Sequence, residues 1–165
     1  MEVGRQSLQI VHHEVRREFA RGAGDDLRVI DIKSIFKFDE QDVMFGDTKE
    51  GTFAIRVARE LEEPAGTIVN AQGARGEVGV WGKRSEWVDY SGQIEGEKLG
   101  IAILDHPSNP RHPAYWHARG YGCFSVNPLG QLDFEKAHRA PDPKPFNLTL
   151  KKGEKALFKY RVAIY

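Results

Sequence analysis

Residues 28–38 read Arg-Val-Ile-Asp-Ile-Lys-Ser-Ile-Phe-Lys-Phe, and the side chains alternate in character. Ile30, Ile32, Phe36 and Phe38 fall on one face and Lys33 and Lys37 on the other, the period of a strand with one buried side. The same period returns over residues 52–58, where Phe53, Ile55 and Val57 oppose Thr52 and Arg56. Residues 87–90 and 98–104 flank Ser-Gly-Gln-Ile-Glu-Gly, a turn-rich connection that predicts a hairpin. Residues 148–150 and 156–164 flank Lys-Lys-Gly-Glu, which predicts a second. Between residues 8 and 19 two periods compete: Leu8, Val11, Val15 and Phe19 fit a helical stripe, whereas Val11, His13, Val15, Arg17 and Phe19 alternate. Among so many strand segments the alternating reading is preferred. Residues 59–63 predict a single helical turn stopped by Pro64, and the proline-rich stretch 140–145 a surface loop. The fold class expected is all-β, a twisted antiparallel β-sandwich in one domain over residues 1–165.

Composition limits the function. Lys plus Arg and Asp plus Glu both number 24 in 165 residues, so the net charge is zero and there is no clustered cation to attract nucleic acid or an anionic membrane. The longest apolar runs, such as residues 100–104, are far below the roughly 20 residues that a membrane helix needs. The opening Met-Glu-Val-Gly-Arg-Gln lacks the pattern of a signal peptide, which leaves the cytoplasm as the default expectation. One cysteine, Cys123, excludes an internal disulfide framework and reads as a small core residue.

Chemistry-bearing residues concentrate in residues 103–130, Ile-Leu-Asp-His-Pro-Ser-Asn-Pro-Arg-His-Pro-Ala-Tyr-Trp-His-Ala-Arg-Gly-Tyr-Gly-Cys-Phe-Ser-Val-Asn-Pro-Leu-Gly. Pro107, Pro110 and Pro113 recur with the three-residue period of a polyproline II helix, which would set His106, Asn109 and His112 along one edge. At roughly 3.1 Å per residue the two histidines would stand about 19 Å apart, too far to share a metal, so no metal site and no cofactor is expected. After Pro113 the pattern alternates, with Tyr115, His117, Arg119 and Tyr121 on one face and Ala114, Trp116 and Ala118 on the other. The first face has the mixture of rings and polar tips that a binding groove uses, and Trp116 reads as core. Asp47, Lys49 and Glu50 form a charged turn bounded by glycines, and Lys83, Arg84, Glu86, Trp87 and Asp89 an ion-paired rim. Asp105 and His106 are neighbours that a strand would point to opposite faces. Residues 73–79, Gly-Ala-Arg-Gly-Glu-Val-Gly, lack the ending of a phosphate loop and are set aside.

Phe-Gly-Asp-Thr-Lys-Glu-Gly (45–51), Gly-Lys-Arg (82–84) with Trp-Val-Asp-Tyr-Ser-Gly (87–92), residues 103–113, Trp-His-Ala-Arg-Gly-Tyr-Gly (116–122) and the terminal Leu-Thr-Leu-Lys-Lys-Gly-Glu before a Tyr-Arg-Val strand resemble the PmoA-like family of bacterial proteins. The resemblance runs from about residue 28 onward and implies the C-terminal half of a longer family domain, since His12 and His13 do not match the family's Pro-His-His-Arg-Gly-like segment. It further implies a soluble β-sandwich, half of a mutarotase-like supersandwich, in a carbohydrate-degrading setting. The membrane-oxygenase label attached to that family does not fit a chain without apolar spans.

Two functions follow as expectations. One is carbohydrate processing, by hydrolysis, elimination or epimerisation, with His117, His106 and Glu50 as acid–base groups and Arg119, Tyr115, Tyr121, Asn109, His112 and Arg84 contacting the sugar. The other is a noncatalytic sugar-binding or assembly module. Catalysis requires titratable groups that converge on one pocket; binding requires only an open aromatic face. A half-domain would also leave strand edges open and pair them in a homo-oligomer.

Overall fold

A computed structural model describes residues 27–165, together with the backbone of residues 10–19. Eleven strands run in the order β1 (Ile10–Phe19), β2 (Arg28–Lys37), β3 (Val43–Phe45), β4 (Phe53–Arg56), β5 (Thr67–Asn70), β6 (Trp87–Ile94), β7 (Glu97–Asp105), β8 (Tyr115–Ala118), β9 (Cys123–Asn127), β10 (Leu148–Leu150) and β11 (Lys155–Ile164). Two short helices interrupt them, α1 (Gly76–Val80) and α2 (Leu132–Ala137), with a 3-10 turn at Arg59–Leu61 just before Pro64. The alternating period over residues 10–19 does form a strand; residues 7–9 lie outside the described residues.

The strands make three antiparallel sheets, of order β1-β2-β11-β7-β6-β5, β4-β9-β8 and β3-β10. The sheets pack in a sandwich-like, all-β arrangement around one core. Ile32, Ile68, Val88, Tyr90, Ile103, Phe158, Tyr160 and Val162 of the large sheet meet Trp116, Ala118, Phe124 and Val126 of the three-stranded sheet. Rings carry the contact between layers: Tyr90 lies 4.5 Å from Phe124, and Phe53 stacks on Tyr160 at 5.2 Å. Burying a single such side chain is worth about 1.5–3 kcal/mol, so the alternation in β2, β4, β6, β8 and β11 is enforced by the core.

Three expectations need correction. The first hairpin turns at Glu95 and Gly96 alone, both at positive φ, while Ser91–Ile94 continue β6 against β7. This two-residue turn matches the twist of the strands it joins. Residues 148–150 and 155–164 do not pair with each other: β10 pairs with β3, whereas β11 enters the large sheet between β2 and β7. The Gly153 amide donates to the Phe38 carbonyl, so the turn is tied to the end of β2 and sends its two arms to different sheets. Finally, residues 106–112 are not a straight polyproline segment. The Asn109 amide donates to His106 O at 2.8 Å and the His112 amide to Asn109 O at 3.2 Å, so the loop folds through two successive turns.

That loop is anchored by Asp105. Its buried carboxylate accepts from Asn109 Nδ2 at 2.7 Å, His112 Nδ1 at 2.9 Å and the Ala114 amide at 3.0 Å. Asn109 in turn accepts from the Lys159 amide at 2.7 Å and donates to the Lys159 carbonyl at 2.6 Å. Its carboxamide therefore continues the ladder on β11 where β7 ends.

Candidate functional site

The outward face of β8 carries the alternation expected from the sequence. Trp116 and Ala118 point into the core, while Tyr115 and His117 point away from it. Arg119 follows on the same side, and the turn closed by the Gly122 amide on Arg119 O then holds Tyr121 outward, 49% exposed. Tyr121 thus reaches the face through a turn and not through strand alternation.

Trp81, at the C-terminal end of α1, organises the site. Its indole N–H donates to His117 Nδ1 at 3.3 Å, its ring packs edge-on against Phe134 of α2 at 5.2 Å, and the Arg119 guanidinium lies 5.5 Å from its centroid. His138 Nε2 donates to the Trp81 carbonyl at 3.0 Å and closes that side. Arg119 Nε stands 3.3 Å from Glu77 Oε1, and Glu77 Oε2 accepts from the Gly120 amide at 2.6 Å. Arg119 Nε is nevertheless the only buried side-chain polar atom among the described residues that lacks a hydrogen bond. Tyr121 is flanked by two guanidiniums, with Arg56 at 5.4 Å and Arg119 at 5.6 Å from its ring.

His117 is 7% exposed, and burial holds it below the ordinary imidazole value; the Glu50 carboxylate opposes that shift, and Arg119 and Lys49 add to it. The Trp81 N–H occupies Nδ1, so the neutral ring carries its proton on Nε2. Nε2 has no hydrogen-bond partner among the described residues and is not among the fully buried atoms, so it reaches solvent as a donor. Glu50 is brought close by Gly51, at φ +93°, where a Cβ would collide with Ser125 Oγ. Ser125 Oγ donates to Glu50 O at 3.2 Å and fixes the loop on the β9 partner of His117.

The other candidates stand apart from this cluster or support it. Tyr115 donates to Glu135 Oε1 at 3.2 Å and lies under the Arg84 guanidinium at 5.3 Å; Arg84 itself donates to Pro113 O and Arg111 O. Asn109 and His112 are engaged with Asp105, and His106 Nδ1 accepts from the Ser108 amide at 3.0 Å. Among the described residues no hydrogen bond or ring contact joins His106, His112 and His117 to one another. Of the carboxylates in the charged turns, Asp47 accepts from the amides of Gln131, Leu132 and Phe146, Glu86 accepts from Gln72, and Asp89 from Tyr165. Glu50 alone acts on His117, joined by Glu77 and Trp81, which sequence reasoning missed. Both lie in the glycine-rich 73–82 segment, which folds as α1 and packs on β8. No group of three or more His, Cys, Asp or Glu side chains among the described residues is placed to hold a metal ion. No helix among them is long and apolar enough to cross a membrane.

Fold and site together define an antiparallel all-β protein that displays an aromatic and guanidinium cluster on the outer face of its three-stranded sheet. The chain belongs to the Family of unknown function (DUF6807), whose model matches residues 7–165. This corrects the PmoA-like assignment drawn from the motifs: the matching model is a different one, and the motif likeness does not extend to membership. No curated protein matches the chain. No solved structure matches it either.

Proposed function

We propose that this chain recognises a sugar without transforming it, on the face formed by Trp81, His117, Arg119 and Tyr121. The observation that carries the reading is the Trp81–His117 hydrogen bond. With Nδ1 accepting from the indole, the imidazole has no free lone pair with which to act as a base, and it can accept a proton only by losing its Trp81 partner. What it offers outward is a neutral N–H donor. Around that donor lie the carboxylates of Glu50 and Glu77 and the exposed ring of Tyr121. A sugar hydroxyl both donates and accepts, and a sugar ring presents C–H groups to an aromatic face, so the mixture suits a hydroxylated ligand. The acid–base alternative draws on Glu50, the carboxylate that acts most strongly on His117.

Titration of the protein with a panel of neutral mono- and oligosaccharides, followed by Trp81 fluorescence and by chromatography of the sugar, separates these readings. The expected result is saturable binding with the sugar recovered unchanged. Tyr121→Ala should weaken it about tenfold while leaving stability within about 0.5 kcal/mol, because the ring is exposed. Conversion of the sugar that disappears in His117→Gln would establish the acid–base alternative, and no saturable binding by any member of the panel would remove the sugar reading.

A further inference from the structure

A second site lies on the opposite side of the molecule, in a cleft of about 640 Å³ on the outer face of the large sheet. It runs across β2, β11 and β7, where Ile32, Tyr160 and Ile103 face the core and Lys33, Lys159, Arg161 and Leu104 therefore face outward. His106 and Pro107 wall one end. Its volume is that of a small-molecule site.

The charges within it are unusual for a sheet surface. Lys33 and Lys159 are direct cross-strand partners, and like charges placed directly opposite destabilise a sheet. In the next row Arg161 is answered by Asp31, through two hydrogen bonds of 2.7 Å. On its other side β2 pairs with β1, with Glu14 in register with Lys33. Lys159 is half-buried and forms no ion pair among the described residues. The Asp105 carboxylate cannot serve it, being turned inward and engaged by three donors. His106 adds a donor: because Nδ1 accepts from the Ser108 amide, the neutral ring carries its proton on Nε2.

We infer that this cleft is a binding site for the oxyanion of a small molecule, a carboxylate or a phosphate, held by Lys159 and His106 with its body against Leu104 and Pro107. The anion would pair with the Lys159 ammonium through a charge-assisted hydrogen bond. This site is independent of the sugar-binding reading.

The test is a titration of the whole chain with inorganic phosphate and, separately, with glucuronate, read by chemical-shift changes at the Lys159 and His106 side chains. Saturable shifts with either probe at concentrations of about 10 mM or below are expected, and which probe binds tells phosphate from carboxylate. Lys159→Met, checked for native folding, should weaken binding at least about tenfold, the loss of one charge-assisted bond, while His117→Gln leaves it unchanged. An absence of saturable shifts in the wild-type chain with both probes overturns the inference. So does binding that Lys159→Met leaves intact.

Discussion

At the scale of single residues, His117 shows how one hydrogen bond selects a role. Burial and the neighbouring cations hold its folded-state value below the ordinary 6.5, and donation from Trp81 favours the neutral ring further. The unfolded chain therefore binds this proton at a higher pH than the folded one. The contribution of His117 to stability is complete above about pH 6.5 and is lost as pH falls through the folded-state value. Imidazole chemical shifts of His117 should titrate with a midpoint below 6.5, and Trp81→Phe, which removes the donor, should move that midpoint upward. A midpoint at or above 6.5 in the wild-type chain would mean that burial and the neighbouring cations do not hold the ring neutral. Tyr165 illustrates the opposite direction: burial and the Asp89 carboxylate push its phenol up to about 12.

At the scale of elements, a single carboxylate places the second helix. Asp47, in the turn after β3, accepts from Gln131 and Leu132 at the start of α2 and, at 2.8 Å, from Phe146 in the loop beyond it. A short helix has few hydrogen bonds of its own, so its position depends on such anchors and on Phe134, which is fully buried against Trp81 and Tyr115. Asp47→Ala leaves three amides without their acceptor, and a loss of about 2 kcal/mol in urea unfolding is expected. Hydrogen exchange should accelerate at residues 132–138 first, since α2 is held from outside. If exchange there stayed as in the wild type, Asp47 would not be the anchor. The same dependence explains why α2 positions the site: it closes the Trp81–His117 side.

Across the whole molecule, the two layers are joined through a few rings. Phe124 is fully buried between Tyr90, at 4.5 Å, and Trp116, at 5.8 Å. Phe124→Ala removes the ring at the middle of the interface between sheets, and a cavity of that size costs about 3–5 kcal/mol. Chemical denaturation should show this loss as a lower midpoint with one cooperative transition for both sheets. Two separate transitions would mean that the three-stranded sheet folds independently of the large one, contrary to the shared core.

The alternation in residues 28–38, 52–58 and 115–118 determined by itself that the chain is all-β and which side chains enter the core, because a period of two has only one way to bury its apolar half. It also determined that Trp116 is core and that Tyr115 and His117 share the other face. Partner choice was beyond it. Residues 148–150 and 155–164 have the local pattern of a hairpin, but their ladders are completed by β3, β2 and β7, and backbone hydrogen bonds carry no side-chain code by which to choose. The prolines of residues 107–113 suggested an extended edge; the buried Asp105 carboxylate, which must collect donors, folded the loop instead. Glu77 and Trp81 were illegible for a related reason. They lie 36 or more residues from His117 and Arg119 along the chain, and only the packing of α1 on β8 brings their charge and indole to the histidine whose chemistry they decide.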